Sequence, residues 1–276
     1  MITVTFQNDT YTLPSHWDEL TTQQFETLAQ LTINGETANN LLFKFALHCM
    51  GMRLAWRYKV RVNDLDCYYI RHGIKRVYLV SPFQMAVLTS SMQWLIDSNT
   101  ITPTTIKNPY YALEKFYGPA DGLSNILTKE WILAEVYRSE WLSSKSDNNL
   151  NRFLAILWRP TAKHHPDGDM RAPFRAEAID ARARQMAKLK PYQKQVMLWF
   201  YNGCLDFLSV KFPDVFTQGD NGTGKSPIDG FSQMLNDLAK DVSSEIDNLN
   251  DSPLYKTLYL LQGIIEKANK KAKHNE

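Results

Sequence analysis

The alternation of apolar and polar residues at the start of the chain predicts a β-hairpin. Apolar residues stand at every second position on each side of an Asn-Asp turn: Ile2, Val4, Phe6, Tyr11 and Leu13. Such period-two alternation is typical of paired antiparallel strands. A second hairpin is predicted over residues 67–80, where His72-Gly73 supplies the turn and tyrosine, isoleucine and valine dominate the flanks.

Apolar residues at helical spacing predict helices for nearly all of the remaining chain. Capping-box patterns start two of these helices, at Thr21 and at Ser81. Over residues 147–158 the apolar positions recur at i, i+3, i+4, i+7 and i+8, which predicts an amphipathic helix. Residues 191–212 are apolar on nearly every side, which predicts a central buried helix.

These patterns predict a mainly α fold, a multi-helix globular protein with small antiparallel β-hairpins in the N-terminal third. We divide the chain into three parts. Residues 1–213 form a main helical domain with the N-terminal β-hairpin, residues 214–229 a Gly-rich loop or linker, and residues 230–276 a C-terminal helical segment. A proline followed by a run of glycine and polar residues marks the boundary after residue 213.

The last predicted helix carries a heptad seam. Its apolar positions recur at alternating steps of four and three residues: Leu254, Leu258, Leu261, Ile265, Ala268 and Ala272. A seam of this kind packs one helix against another. The partner is either the chain's own core or, since a Gly-rich segment precedes the helix, a groove on another chain. On the second interpretation, Leu254, Leu258, Leu261 and Ile265 are the expected partner-binding residues.

The bulk composition indicates an ordinary protein made in a cytosol. Of its 276 residues, 44% are hydrophobic and 22% charged, as in typical globular domains. Three cysteines stand far apart without a C-x-x-C pair, which favours a reducing compartment. Neither a signal-peptide pattern nor an apolar stretch of about 18 residues is present, so we expect no membrane partner. A net charge of +2 gives no reason to expect nucleic acid as a partner.

The stretch GDNGTGKS matches the phosphate-loop pattern G-x-x-x-x-G-K-[ST] at Gly219, Gly224, Lys225 and Ser226. Such a loop binds phosphate because a buried parallel strand ends at its first glycine and a helix begins at its lysine. The preceding PDVFTQ is polar and contains a proline, so it does not predict a central strand. We therefore interpret the motif as a Gly-rich loop that imitates a phosphate loop, and expect no cofactor.

A second polar loop carries residue types that bind metals: His164, His165, Asp167 and Asp169. Adjacent histidines in a loop with proline and glycine point to different sides, and the sequence contains no H-x-x-x-H pair. A solvated loop is the favoured interpretation. The other histidines are isolated, so we expect no metal site, no catalytic residues and no enzyme activity.

Three segments carry a resemblance to a known group of proteins. The first is the opening hairpin with LPSHWDELTTQQFETLAQL, and the second is FYGPADGLSNILTKEWILAEVYRSEW. The third is LNRFLAILWRPTA followed, after a polar loop, by RAPFRAEAIDARARQMAKL. Together they cover approximately residues 1–31 and 110–212. The segments resemble proteins encoded in tail-morphogenesis gene clusters of phages and prophages, particularly those of Bacteroides-type hosts.

The resemblance implies a non-enzymatic phage tail-assembly chaperone or morphogenesis factor in the cytoplasm of the bacterial host. Its partner would be a tail component such as the tape-measure or tube protein, and formation of a homo-oligomer stays open. The resemblance supplies no functional residue. Two alternatives from other classes remain: a structural virion protein of the tail or neck, and a nucleotide-hydrolysing enzyme that uses the phosphate-loop pattern.

Overall fold

The computed structural model describes residues 1–6, 8–73, 76–96, 107–162, 168–217 and 249–274. The fold is mainly α with small antiparallel sheets, as the sequence predicts. Contacts group the chain into two compact units. Unit 1 holds the described residues of 1–104 together with 191–196, and unit 2 holds those of 105–190 and 197–276.

Unit 1 contains two antiparallel sheets. Its strands are β1 (Ile2–Phe6), β2 (Asp9–Leu13), β3 (Met52–Val62), β4 (Leu65–His72) and β5 (Arg76–Val80). β1 pairs with β2, and β4 lies between β3 and β5. Gly73 takes a φ of 64° at the end of β4, where left-handed backbone suits glycine. Both predicted hairpins are confirmed.

Strand β3 is an element that the sequence-based prediction missed, since that prediction assigned helix outside the two hairpins. The register of β3 against β4 shifts between Leu54 and Lys59. This irregularity breaks the period-two alternation and so hides the strand signal. The β3–β4 turn is made by Asn63 and Asp64, which both take positive φ, as a tight hairpin turn between twisted strands requires.

The helices of unit 1 are α1 (Thr22–Ile33), α2 (Ala38–Cys49) and α3 (Pro82–Ser90). Both predicted capping boxes are confirmed, because the Thr21 and Ser81 hydroxyls each accept a hydrogen bond from a backbone N–H in the first turn. α2 contacts α1, α3 and β3. Phe25, Phe45 and Ile70 are buried in the core that these elements enclose.

Unit 2 is built mainly from helices around a small three-stranded sheet. Its helices are α4 (Thr128–Ser144), α5 (Asp147–Leu157), α6 (Ile179–Met186), α8 (Pro213–Thr217) and α9 (Leu254–His274), and its strands are β6 (Ala112–Leu113), β7 (Phe116–Tyr117) and β8 (Arg159–Pro160). Helix α7 (Pro191–Lys211) begins in residues assigned to unit 1 and continues in unit 2. The predicted amphipathic helix α5 is confirmed. Helix α7 is confirmed as a helix with a buried middle, but its last turn is exposed, so the prediction of burial on nearly every side is wrong there.

The loop predicted for residues 214–229 is wrong at its start. Residues 214–217 belong to helix α8, which Pro213 begins. Proline is favoured at the first helical position because its missing N–H has no intrahelical partner there. The rest of the predicted loop, and the helix expected after residue 230, lie outside the described residues. Among the described helices, none combines the length and apolar character needed to span a bilayer.

Candidate functional site

The phosphate-loop residues Gly219, Gly224, Lys225 and Ser226 lie outside the described residues. The segment directly before Gln218 is helix α8, and all strand pairs in the described ranges are antiparallel. A phosphate loop requires a parallel strand that ends at its first glycine. The described residues provide no such strand, and the interpretation of the motif as an imitation stays a prediction.

The expected partner-binding residues of the last helix are buried in the chain itself. Leu254, Leu258 and Leu261 are at most 1% exposed, and Ile265 is 7% exposed. Their helix, α9, contacts α4 and α8 within unit 2. The assignment of these four side chains as contact positions for another chain is therefore corrected. They form a seam with the chain's own core, the other interpretation that the heptad pattern allowed.

Polar and aromatic contacts also hold α9 in unit 2. The hydroxyl oxygens of Thr128 and Thr257 lie 2.7 Å apart, and the Tyr255 hydroxyl donates to the Gly122 carbonyl at 2.8 Å. The opposite face of the helix leaves Leu260 and Ile264, one turn apart, exposed to solvent. The helix is thus buried on its seam and apolar in part of its outer face.

Of the four residues with metal-binding side chains, the structure describes only Asp169. His164, His165 and Asp167 lie outside the described residues. Asp169 is engaged by Arg171, whose guanidinium nitrogen Nη2 lies 2.8 Å from the carboxylate. Within the described ranges, no group of three histidine, cysteine or acidic side chains could hold a metal ion.

Asp169, which is half-buried, belongs to a cluster of four charges in unit 2 that the sequence did not predict and whose other three members are buried. Arg159 and Glu130 are each 2% exposed and approach to 2.7 Å between Nη1 and Oε1. Arg171 lies 3.5 Å from the second oxygen of Glu130 and donates to the Asn125 carbonyl at 2.7 Å. The cluster joins α4, β8 and the segment that contains Asp169 and Arg171.

The cluster borders a cavity of about 560 Å³ that Phe174 and Pro253 also line. Burial and the neighbouring Arg171 lower the pKa of Arg159, although Glu130 opposes this effect. Burial raises the pKa of Asp169, but hydrogen bonds and the positive charge of Arg171 outweigh it, so the net shift is downward. Two acids balance two arginines, so the cluster is neutral and suited to joining elements.

A second buried network links α4 to α7. Glu135 accepts two hydrogen bonds from Arg138, at 2.6 and 2.8 Å, and one from the Tyr201 hydroxyl at 2.6 Å. Burial and the Glu135 charge raise the pKa of Tyr201 well above its usual value, so the phenol keeps its proton. Since both carboxylate oxygens are occupied, the network is suited to holding the two helices together.

The outer face of the β3–β5 sheet is a surface with unusual apolar content. Tyr69 pairs with Leu79 and Arg71 with Val77, so these four side chains share one face, here called the outer sheet face. Its three apolar members, Tyr69, Val77 and Leu79, are 37%, 50% and 39% exposed. An antiparallel sheet is normally polar on its solvated face. This face is therefore a candidate site for contact with another molecule.

Helix α3, which follows β5 directly, adds exposed apolar side chains to unit 1. Phe83 is 77% exposed, and Val87, one helical turn further, is also exposed. The sequence of β5, RVYLV, indicates the outer sheet face, because apolar residues occupy positions that point to both sides of the strand. A strand that is apolar in both phases either lies between two layers or exposes one apolar face.

Comparison of the chain with protein-family models, with curated proteins and with solved structures finds no match.

Proposed function

We propose that the protein acts by binding another protein during assembly of a phage tail, as a tail-assembly chaperone or related morphogenesis factor. The observation that supports this proposal is the outer sheet face, with three exposed apolar side chains at strand spacing. Contiguous apolar surface on a protein in water is typical of an interaction site. The resemblance of three segments to tail-morphogenesis proteins supplies the proposed context.

The physical basis of the proposal is that burying exposed apolar surface against another protein is favourable in water. A tail component made before its final neighbours are present exposes apolar faces of its own, and covering them on both partners removes water from both surfaces. The proposed partner is the tape-measure or tube protein. The proposed place of action is the cytoplasm of the bacterial host.

The direct test is co-expression with the neighbouring tape-measure or tube gene, followed by pull-down of the tagged protein. We expect the variant Val77→Thr with Leu79→Thr to capture about tenfold less partner, because it removes exposed methyl groups while keeping strand-favouring residues. The matched control is Val210→Thr, which changes an exposed apolar side chain in unit 2. The proposal fails if neither tail component is captured and neither becomes more soluble.

Mass spectrometry of purified virions separates the chaperone from a structural tail or neck protein. A chaperone leaves before the particle is complete, so we expect no peptides of this chain in virions. Stoichiometric peptides would replace the chaperone proposal with the structural one.

A further inference from the structure

A cleft of about 580 Å³ lies in unit 1 between the start of α1 and the β3–β4 pair. Its lining is largely polar and, as far as the structure describes it, holds no acidic side chain; it includes Thr21, Gln23, Gln24, His48, Arg53 and Arg71. Burial lowers the pKa of His48 below its usual value, so the ring is neutral near pH 7. The charge of the cleft is therefore that of its two arginines.

The two arginines stand directly opposite each other on β3 and β4. Arg53 and Arg71 are register partners, so their side chains leave the same face of the sheet. Like charges at directly opposed positions destabilise a sheet unless an anion lies between them. No acidic side chain of the described residues forms an ion pair with either arginine.

Other basic residues of this sheet are placed differently. Lys59 lies 2.9 Å from Asp66, and Arg61 and Arg76 each lie 3.6 Å from an aspartate oxygen. Three cations of this sheet thus have a carboxylate of unit 1 nearby, whereas the pair in the cleft has none among the described residues. Because guanidinium groups bind carboxylates in a two-pronged geometry, a pair of them is suited to an external anion.

The surroundings of the cleft favour a polypeptide as the source of that anion. Arg71 lies beside Val77 in the register and on the same face as Tyr69, so the cleft continues into the outer sheet face. Single-stranded nucleic acid is usually bound by stacking on large aromatic side chains, and within the described residues no phenylalanine, tyrosine or tryptophan ring lines the cleft. A duplex needs many phosphate contacts, whereas the cleft offers two cations.

We propose that Arg53 and Arg71 bind a pair of carboxylates on an acidic segment of the partner protein, with adjacent apolar residues of that segment on the outer sheet face. This inference rests on the proposed function and names the chemistry of its partner. Amide and hydroxyl groups of Gln23 and Thr21 line the same cleft and suit the backbone of an extended segment.

The test uses the full chain and a fluorescent octapeptide of glutamate, with an octapeptide of glutamine as the uncharged probe. We expect saturable binding of the glutamate peptide at low salt, measured by fluorescence anisotropy, and none of the glutamine peptide. The double variant Arg53→Gln with Arg71→Gln should bind about tenfold more weakly, since two charged hydrogen-bond donors are lost.

The matched control is Lys59→Gln with Arg61→Gln, which removes two charges from β3 that already have carboxylate neighbours. We expect its affinity to stay within about twofold of the unmodified protein. Thermal unfolding of both variants verifies that each is folded. Equal loss in the two variants, or absence of saturable binding to the unmodified protein, overturns the inference. So does tighter binding of a single-stranded oligothymidine that the cleft variant abolishes.

A pull-down of the tail component separates this inference from the proposed function. If the Arg53→Gln, Arg71→Gln variant captures as much tail component as the unmodified protein, the role of the arginines is overturned. The proposed function then still stands. Binding of the acidic peptide to the cleft, without capture of either tail component, supports the cleft and contradicts the tail-assembly proposal.

Discussion

At the scale of single residues, the fold of unit 2 should be sensitive to substitution of Gly118, because side chains lie close to its backbone. A Cβ added to Gly118 would lie 2.5 Å from Nε1 of Trp158 and 2.6 Å from Nδ2 of Asn108. Both nitrogens are already fixed, because Trp158 donates to the Tyr110 carbonyl at 3.0 Å and Asn108 to the Pro119 carbonyl at 2.7 Å. Neither can move without losing a buried hydrogen bond.

We therefore expect Gly118→Ala to lower the free energy of unfolding by about 1–3 kcal/mol, as overpacking does. Gly263→Ala is the matched control, because nothing lies within 4 Å of the added carbon and the residue is inside helix α9. Alanine is the better helix former, so this variant should gain up to about 1 kcal/mol. Urea unfolding measures both, and a destabilised Gly263→Ala or a neutral Gly118→Ala would contradict the packing described.

The buried charge cluster makes a prediction about pH. The pKa of Asp169 in the folded chain is depressed below its ordinary value of 3.8, so its carboxylate stabilises the fold above that pH. This contribution to stability is lost as the pH falls through the pKa that Asp169 has in the folded chain. We expect Asp169→Asn to be less stable than the unmodified protein at pH 7, with the difference shrinking below about pH 4. If the difference in the free energy of unfolding between the two proteins were constant from pH 7 to pH 3, the ionised Asp169 carboxylate would not stabilise the fold.

At the scale of elements, the two faces of α9 should respond differently to the same substitution. Leu258 is buried and Leu260 is exposed on the same helix. We expect Leu258→Ala to lower the free energy of unfolding by about 2–5 kcal/mol, because it leaves a cavity in the core. Leu260→Ala should change it by less than about 0.5 kcal/mol. Chemical denaturation measures both changes in the free energy of unfolding. Equal changes for the two variants would contradict the burial of Leu258 in the core.

The sequence predicted elements wherever a local rule applied. The capping boxes at Thr21 and Ser81 and the hairpin turn at Gly73 depend on neighbouring residues, and all three are confirmed. Strand β3 was missed because its register shift interrupts the alternation that marks a strand. A heptad pattern on α9 shows that a seam exists but not which surface covers it, and only tertiary contacts distinguish the two.

The candidate sites were less predictable than the elements. Arg159 and Glu130 lie 29 positions apart by their residue numbers, so no spacing rule joins them. The opposition of Arg53 and Arg71 follows from the register of β3 against β4, which the missed strand concealed. Sites of this kind depend on pairing between distant segments, whereas propensity and capping depend on residues within a few positions.

At the scale of the whole molecule, the interpretation of the phosphate-loop motif as an imitation makes a prediction about nucleotide binding. Phosphate loops belong to sheets whose central strands are parallel, and the strand pairs of the described ranges are antiparallel. We expect isothermal titration with ATP or GTP and Mg²⁺ to give no saturable heat, and Lys225→Ala to behave identically. Micromolar binding that this substitution abolishes would establish a nucleotide site despite the fold. In that case the outer sheet face would still require a partner, because exposed apolar surface is typical of an interaction site.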